Sequence, residues 1–568
     1  MKKIVIVSGG SGNDALMRGI IEFYPQCELK VIVNAYDDGK STGLCRRVTG
    51  MLGVSDIRKN HYRLYSILNQ FNLNQSIVDF YNERFELPKG EELNFVLFKL
   101  SHWGMSWMEQ YAIKFFDSYK EDDTIKDMNI ANIIYSSMYQ EMGYEEANKR
   151  MCDFLGIDDF VILNSFVNVK LKATTEGEKE IKDEAGIVDF SCANDRIREL
   201  VYDSDEPICL NVRALKEIEE ADILIISTGT FFSSILPTIE YGDLYKVINK
   251  AKGRKYWFIN NEEDKDAYGF GSNDFIRIMS EKGVRLEDFT IMENLDGKSN
   301  LQERNDNYHI AYYHMGNQKG KHDWRKMVKA LFMNYYGIDK DNFDLVLMDF
   351  DNTIYSKDNE DVAKDNMIEV SKDARNIIVS GNDYKSAIEP IISNMFGVKM
   401  YGFPNKVWAD ASSVLYMRGE RVKVIPSHII PMEVREKIEN YLYETFQIYA
   451  SSNDDKCTCI KIKPLRELER VLLCKYLNEY AFKVLGLDDV KAIKTGRTTV
   501  DIVKAINNKS SVFEFESWGK KKTLYIGDEM EDYGNDVDIA NLCTHRIGVE
   551  NVCETNMILK ILNGKRDE

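Results

Sequence analysis

The chain reads as an α/β protein of two units. The first is an N-terminal Rossmann-like parallel-sheet domain with a helical insertion; the second is a C-terminal Rossmannoid domain with an inserted α/β cap. Three observations predict this. Short apolar runs end repeatedly in turns rich in Gly or Asp and are followed by helical spacing, the βαβ pattern of a parallel sheet. The length, 568 residues, exceeds what one hydrophobic core serves. A polar run at 339–342, just behind Gly337, separates two such patterns.

The elements follow in order. Residues 4–7 form a first strand, a glycine loop follows, a helix starts at about Asp14, and residues 30–34 form a second strand. Residues 61–155 differ: Tyr, Phe, Met, Leu and Asn recur at helical spacing with few glycines, which predicts a helical insertion. Its aromatics Trp103, Trp107, Tyr111, Phe115 and Phe116 are expected in its core. From Asp159 the strand pattern returns at 161–162 and 167–171. Residues 214–220 lead into an apolar strand at 223–226, a polar loop at 227–234 follows, and 256–259 make another strand. The second unit begins at Phe343. Residues 345–348, 377–379 and 524–526 read as its strands, and about 420–500 as the cap. The expected domains are thus 1–335 and 343–568.

Composition narrows the function. Hydrophobic residues make up 44% and charged residues 29%, the balance of a folded globular chain. The net charge of -18 argues against nucleic acid and against anionic membrane surfaces as partners. A phosphorylated ligand then needs local help from magnesium, Lys, Arg or helix N-termini. The ten cysteines show no CxxC pair with partner ligands and read as reduced thiols. The seven histidines lack metal-ligand spacing. The opening MKKIVIVSGG is too short for a signal segment, and nothing approaches the ~18 apolar residues of a membrane span. A cytoplasmic protein is expected.

The second unit carries the sharper chemistry. Asp349-Phe350-Asp351-Asn352-Thr353 follows the apolar run 345–348, so two carboxylates one residue apart sit at a strand end. Ser380 ends the next strand, Lys509 follows a short turn, and Gly527-Asp528 ends a third strand. Aspartate, hydroxyl, lysine and aspartate in this order are the parts of a magnesium-dependent phosphoryl-transfer site. These motifs, with Gly534-Asn535-Asp536-Val537-Asp538-Ile539, resemble the haloacid-dehalogenase (HAD) superfamily, in particular its Cof-type sugar-phosphatase and phosphomannomutase branch. The resemblance covers about 343–565 and implies a HAD-like fold. It implies Asp349 as nucleophile forming an aspartyl-phosphate and Asp351 as acid and then base. Ser380 and Lys509 would hold the phosphoryl oxygens. Mg2+ would be held by Asp349, the Asp351 carbonyl and Asp528, with Asp532 or Asp536 completing the shell. Spacing permits either of the last two.

In the first unit, Ser8-Gly9-Gly10-Ser11-Gly12-Asn13 lies between a strand and a helix. Glycines there let backbone approach a phosphate, and a helix N-terminus attracts an anion. After the second strand comes Asn34-Ala35-Tyr36-Asp37-Asp38-Gly39-Lys40-Ser41-Thr42-Gly43, where paired acids beside Gly, Lys and hydroxyls can hold a metal and a phosphate together. These segments, with Ser55-Asp56-Ile57-Arg58-Lys59-Asn60, resemble the family of 2-phospho-L-lactate transferase (CofD) and the gluconeogenesis factors (YvcK). Ile130-Ala131-Asn132-Ile133 and Ser227 to Pro237 match further family segments, and Asn260 matches a family Asn. Lys40, Ser55 and Thr228 depart from the family pattern. The resemblance runs through most of 1–330 and implies a nucleotide-diphosphate ligand. Gly9, Gly10, Ser11 and Gly12 would lie near phosphate; Asn34, Asp37 and Asp38 near phosphate or metal. Ser41, Asn132, Gly229, Thr230, Ser233, Ser234 and Asn260 are the further candidate contacts.

The expectation is a bifunctional protein with Mg2+ as cofactor and a small phosphorylated or nucleotide-linked molecule as substrate. The first unit binds a nucleotide-linked phospho-compound or nucleotide sugar, or transfers from it. The second removes a phosphate from a small sugar-like molecule. Two alternatives stand beside it: a nucleotide-sugar sensor that controls the phosphatase, and a phosphomannomutase-like phosphotransferase. A homo-oligomer formed through the N-terminal domain is an open expectation.

Overall fold

A computed structural model provides the coordinates. It describes residues 2–10, 12–120, 125–190, 195–204, 206–260, 265–296, 308–317, 321–338, 343–396, 404–452, 458–462, 467–495, 499–530 and 534–563. The chain forms two compact units, Met1–Leu331 and Phe332–Glu568, and their division falls inside the helix Trp324–Tyr335. The expected linker residues 339–342 lie outside the described residues.

The first unit is built on a seven-stranded sheet. Its order is His309–Tyr313, Phe289–Asn294, Arg254–Phe258, Ile223–Ile226, Lys3–Val7, Glu28–Val33, Val161–Leu163, and every neighbouring pair is parallel. Ile4, Val5, Ile6 and Val7 are all fully buried, as are Ile223 to Ile226. That is why these strands read as continuous apolar runs: a parallel sheet is covered on both faces. The chain leaves Lys3–Val7 for Glu28–Val33 on one side and returns to Ile223–Ile226 on the other. Strand order therefore reverses at the first strand, and the crevice beyond the carboxyl ends of these three strands is where such sheets bind ligands.

The insertion contains the helices Ser55–Leu68, Gln75–Asn82, Glu92–His102, Glu109–Ser118, Ile130–Met142 and Tyr144–Leu155. It also holds a two-stranded ribbon, Arg84–Leu87 with Ile125–Asn129, that the helical reading did not anticipate. Trp103, Tyr111 and Phe115 are buried, while Trp107 and Phe116 are half-buried. The strand expected at 167–171 is Lys170–Thr175. It belongs to a separate antiparallel sheet with Glu180–Ile181 and Ile197–Asp203.

The second unit has its own seven-stranded sheet, ordered Glu420–Val424, Val414–Met417, Lys406–Ala409, Asn376–Val379, Leu345–Met348, Thr523–Gly527, His545–Gly548. The central strand Leu345–Met348 pairs in parallel with both neighbours, a Rossmannoid arrangement. The cap is a four-stranded antiparallel sheet, Ser451–Ser452, Cys459–Ile462, Thr499–Lys504, Val490–Thr495, with the helices Met432–Phe446 and Glu467–Tyr476. Its apolar core runs from Ile430 to Ile502. The expected cap boundary near 420 is corrected: Glu420–Val424 pairs with Val414–Met417 in the main sheet. The reason is the tight turn at Arg418-Gly419, both with positive φ (50° and 81°), a hairpin signal of the kind glycine permits. Among the described residues no helix is long and apolar enough to cross a membrane.

Candidate functional site

Three parallel strands deliver the C-terminal site. Asp349 follows Leu345–Met348, Ser380 follows Asn376–Val379, and Asp528 follows Thr523–Gly527, so all three residues lie at the carboxyl edge of one sheet. Lys509 is 1% exposed, and its Nζ donates to Asp349 Oδ1 at 2.6 Å and to Asp536 Oδ1 at 2.6 Å. Oxygens of Asp349, Asp528 and Asp536 all lie within 4.8 Å of one another. Among the described residues this is the one such group of potential metal ligands. Hard oxygen donors packed this closely fit a small divalent cation such as Mg2+. Asp536 is also fixed by the Tyr525 hydroxyl and the Glu529 amide. Of the two acids that spacing left open, Asp536 takes the place beside Asp349 and Asp528; Asp532 lies outside the described residues.

The electrostatics express one crowded cluster. Burial, then Asp536, Asp528 and Asp351, push the Asp349 carboxyl well above the usual carboxylate range, against the pull of Lys509. Burial and Asp536 push Asp528 up to about 7. For Lys509 burial works against the charge, but Asp349 and Asp536 outweigh it and raise its pKa. Burial also raises Asp351, so it holds a proton more readily than a surface carboxylate.

Several functional neighbours had no sequence signal. Asn382 Nδ2 donates to Asp351 Oδ2, and the Asn382 amide N–H donates to Ser380 Oγ at 3.0 Å. From the cap, Lys461 Nζ donates to Asn382 Oδ1 at 3.1 Å and lies 3.9 Å from Asp501, which is 2% exposed. Asp501 Oδ1 has no hydrogen-bond partner. After Lys406–Ala409 the chain turns through Asp410, Ala411 and Ser412, all with positive φ (51°, 47° and 70°). Three consecutive left-handed non-glycine residues are strained and persist only where their surroundings hold them. Here they clamp the site: the Asp410 amide donates to Asn382 O, the Ala411 amide to Ser380 O, and Ser412 Oγ to Lys509 O.

In the first unit the glycine loop packs on protein. A Cβ on Gly12 would lie 1.9 Å from Thr228 O, and one on Gly10 would lie 2.0 Å from Asp56 Oδ1. These glycines therefore allow two loops and a helix start to close on each other. Gly9 faces Ser234 in the same way, and Thr228 Oγ1 donates to Gly12 O. Asn60 and Arg63 donate to the carbonyls of Gly9 and Gly10, at 3.4 Å and 2.9 Å. Ser11 lies outside the described residues.

The other candidates fall into groups. Asn34 Nδ2 donates to Thr238 Oγ1 at 2.7 Å and to Ser234 O at 3.2 Å, tying the second loop to the fourth strand's loop. Ser41 and Asn132 meet, with Asn132 Nδ2 donating to Ser41 Oγ at 3.0 Å. Asp37 accepts from the Gly39 amide and from Thr42 Oγ1. Burial raises Asp38, and Arg46 opposes it. Lys40 sits exposed, 3.6 Å from Asp127. In the loop carrying Gly229, Thr230 Oγ1 bonds both Ser233 Oγ and Ser234 Oγ. The amides of Phe232 and Ser233 donate to Asp266, so a protein carboxylate occupies the N–H groups at this end of the loop. Asn260 stands half-buried after Arg254–Phe258, two strands from the glycine loop. Glu184, which sequence reasoning missed, joins the acids: burial, Asp37 and Asp56 push it up to about 8.

The sequence model of the family described as "2-phospho-L-lactate transferase CofD" matches residues 4–336. The chain belongs to that family. A putative gluconeogenesis factor of Thermoanaerobacterium thermosulfurigenes is 23% identical over 294 residues, covering 51% of this chain and 78% of the relative. One from Clostridium acetobutylicum is 24% identical over 299 residues, 51% of this chain and 56% of the relative. Among solved structures, a Bacillus halodurans protein aligns with TM-score 0.44 and 17% identity over 58% of this chain and 99% of its own. The IMP-nucleotidase of Plasmodium falciparum aligns with TM-score 0.31 and 16% identity over 42% of this chain and 72% of its own.

Proposed function

We propose that the second unit is a magnesium-dependent phosphatase acting on a small sugar-like phosphate ester. The observation that carries this is the convergence of Asp349, Lys509, Asp528 and Asp536 at one sheet edge, with Asp351 two residues beyond the nucleophile. Asp349 attacks phosphorus as the P–O bond to the substrate alcohol breaks, and Asp351 gives its proton to the leaving oxygen. Asp351 then takes a proton from water, whose oxygen attacks phosphorus and frees Asp349. Lys509 and Ser380 hold the non-bridging oxygens. Mg2+, held by Asp349, Asp528, Asp536 and the Asp351 carbonyl, would neutralise phosphoryl charge. From the cap, the Lys461 ammonium, held 3.9 Å from the buried Asp501, is the group that would meet an anionic or polar substituent of the leaving group.

The expected outcome is magnesium-dependent release of nitrophenol from p-nitrophenyl phosphate. Asp349→Asn should lower turnover by about three orders of magnitude or more with the fold intact. Near-normal hydrolysis in that variant would remove Asp349 as nucleophile.

For the first unit we propose that the crevice at the strand reversal binds a nucleotide diphosphate derivative, as ligand or as donor of a phosphoester group. The reading is supported by family membership and by the acids Asp37, Asp38, Asp56 and Glu184 beside the glycine loop, which need a divalent ion between them and a diphosphate. Calorimetric titration with UDP-, GDP- and CDP-linked compounds tests it. Binding should weaken on chelation and in Asp38→Ala. A folded chain that binds none of the panel rejects the reading.

A further inference from the structure

A second concave site lies outside that crevice, between the helices Asp14–Phe23 and Ser55–Leu68. It is a cavity of 530 Å³, within the size range of small-molecule pockets. Its charged lining is Arg18, Arg58, Lys59 and Arg63 against the single acid Asp14. The chain as a whole has 92 acidic and 74 basic residues, so a four-to-one basic lining runs against the composition.

Three of the cations are already engaged. Arg18 Nε lies 4.0 Å from Glu22 Oε1. Arg63 Nε lies 2.7 Å from Asp14, and Lys59 Nζ lies 3.4 Å from Asp56. Arg58 is different. It is 8% exposed, one guanidinium nitrogen donates to Tyr81 O at 2.7 Å, and its Nε–H has no hydrogen-bond partner. A buried guanidinium N–H left unsatisfied is costly, and the Arg58 side chain lines the cavity. Arg18 is braced over the Trp324 ring, 4.8 Å from its centroid. The far wall is equally rigid: Tyr62 stacks on Tyr81 with centroids 5.1 Å apart, and its hydroxyl accepts from Asn82 Nδ2 at 3.1 Å.

Guanidinium forks with one ammonium are the donor set that recognises phosphate. Neutral hydrogen-bonding groups from Ser66, Gln70 and Asn82 line the same cavity and suit a hydroxylated carbon skeleton. We propose that this cavity binds a small phosphate monoester of sugar or polyol type, without a metal ion, because the side chains themselves balance its charge. The site differs in chemistry from the proposed nucleotide crevice, whose acids require a cation. The two adjoin through Arg63, which donates to Gly10 O, and through the Lys59 stem, which lies against Gly10.

The test uses the full chain in EDTA and physiological salt, titrated calorimetrically with glucose 6-phosphate, inorganic phosphate and, as the uncharged control, glucose. Saturable binding of both phosphate probes and none of glucose is expected. The double variant R18Q/K59Q alters the two more exposed cations and should weaken that binding at least about tenfold, because it removes two charge-assisted contacts. Unaltered affinity in R18Q/K59Q, or no saturable phosphate binding by the folded wild type, overturns the proposal. Arg58→Gln is the second arm: loss of binding with the melting curve retained supports it, and retained binding overturns it.

Discussion

At the scale of single residues, two side chains without a sequence signal carry the clearest consequences. Burial, then the charges of Asp37 and Asp56, hold the Glu184 carboxyl at about 8 against 4.5 for the free group. A carboxyl that binds its proton more tightly in the folded state contributes stability that is fully present below 4.5. That contribution is lost as pH rises through about 8. Glu184→Gln removes the titration. In chelator the variant should be more stable than wild type at about pH 9 and nearly equal at about pH 5. Urea midpoints at the two pH values check this, and an offset that does not change with pH would show that Glu184 is not the buried acid of the cluster. Lys461 is the second case. It reaches Asn382 from the cap, and among the described residues no hydrogen bond or ion pair joins it to Asp349 or Lys509. Lys461→Met should therefore raise KM for a sugar phosphate about tenfold, the value of one charge-assisted hydrogen bond, with kcat changed far less. A fall in kcat at constant KM would place Lys461 in the chemistry instead of in leaving-group recognition.

At the scale of elements, loops decide what the strands only deliver. The strand-borne part of both sites was legible in the sequence: apolar runs ending at Gly9, Asn34, Ser227, Asp349, Ser380 and Asp528 all lie at carboxyl edges of parallel strands. What stayed hidden came from long-range closure. Lys461 and Asp501 arrive from antiparallel cap strands, Glu184 from a five-residue helix, and the clamp at 410–412 from three positive-φ residues that carry no glycine. No local pattern records such approaches. The glycine loop shows the same limit. Its glycines were read as room for phosphate, yet Gly12 makes room for Thr228 O. A methyl there would press on backbone that cannot rotate away, so Gly12→Ala should cost about 1–3 kcal/mol or more by overpacking. Chemical denaturation of the first unit's transition measures it. A variant as stable as wild type would mean that the loops part easily and that the close contact does not set the crevice.

At the scale of the whole molecule, the question is where one folding unit ends. The compact units divide between Leu331 and Phe332, within the helix Trp324–Tyr335. The start of that helix belongs to the first unit: a Cβ on Gly19 would lie 2.7 Å from Trp324 O and 2.8 Å from Val328, and Phe23 meets the Trp324 ring at 6.3 Å. The second unit's own framework begins at Phe343, whose carbonyl accepts from Arg375 at 2.9 Å and whose ring lies 5.2 Å from His545. Its core, from Leu345 and Leu347 to Tyr525 and Ile539, uses only residues beyond that point. A core and a complete sheet on one side of a cut are what independent folding requires. A fragment of residues 340–568 should thus be soluble, melt cooperatively and hydrolyse p-nitrophenyl phosphate at close to the full chain's kcat, because Asp349, Asp351, Ser380, Lys509, Asp528 and Asp536 all lie within it. Calorimetric melting and turnover of the fragment are the measurements. A molten fragment, or one that regains activity only when residues 332–339 are restored, would show that the end of the helix completes the second core.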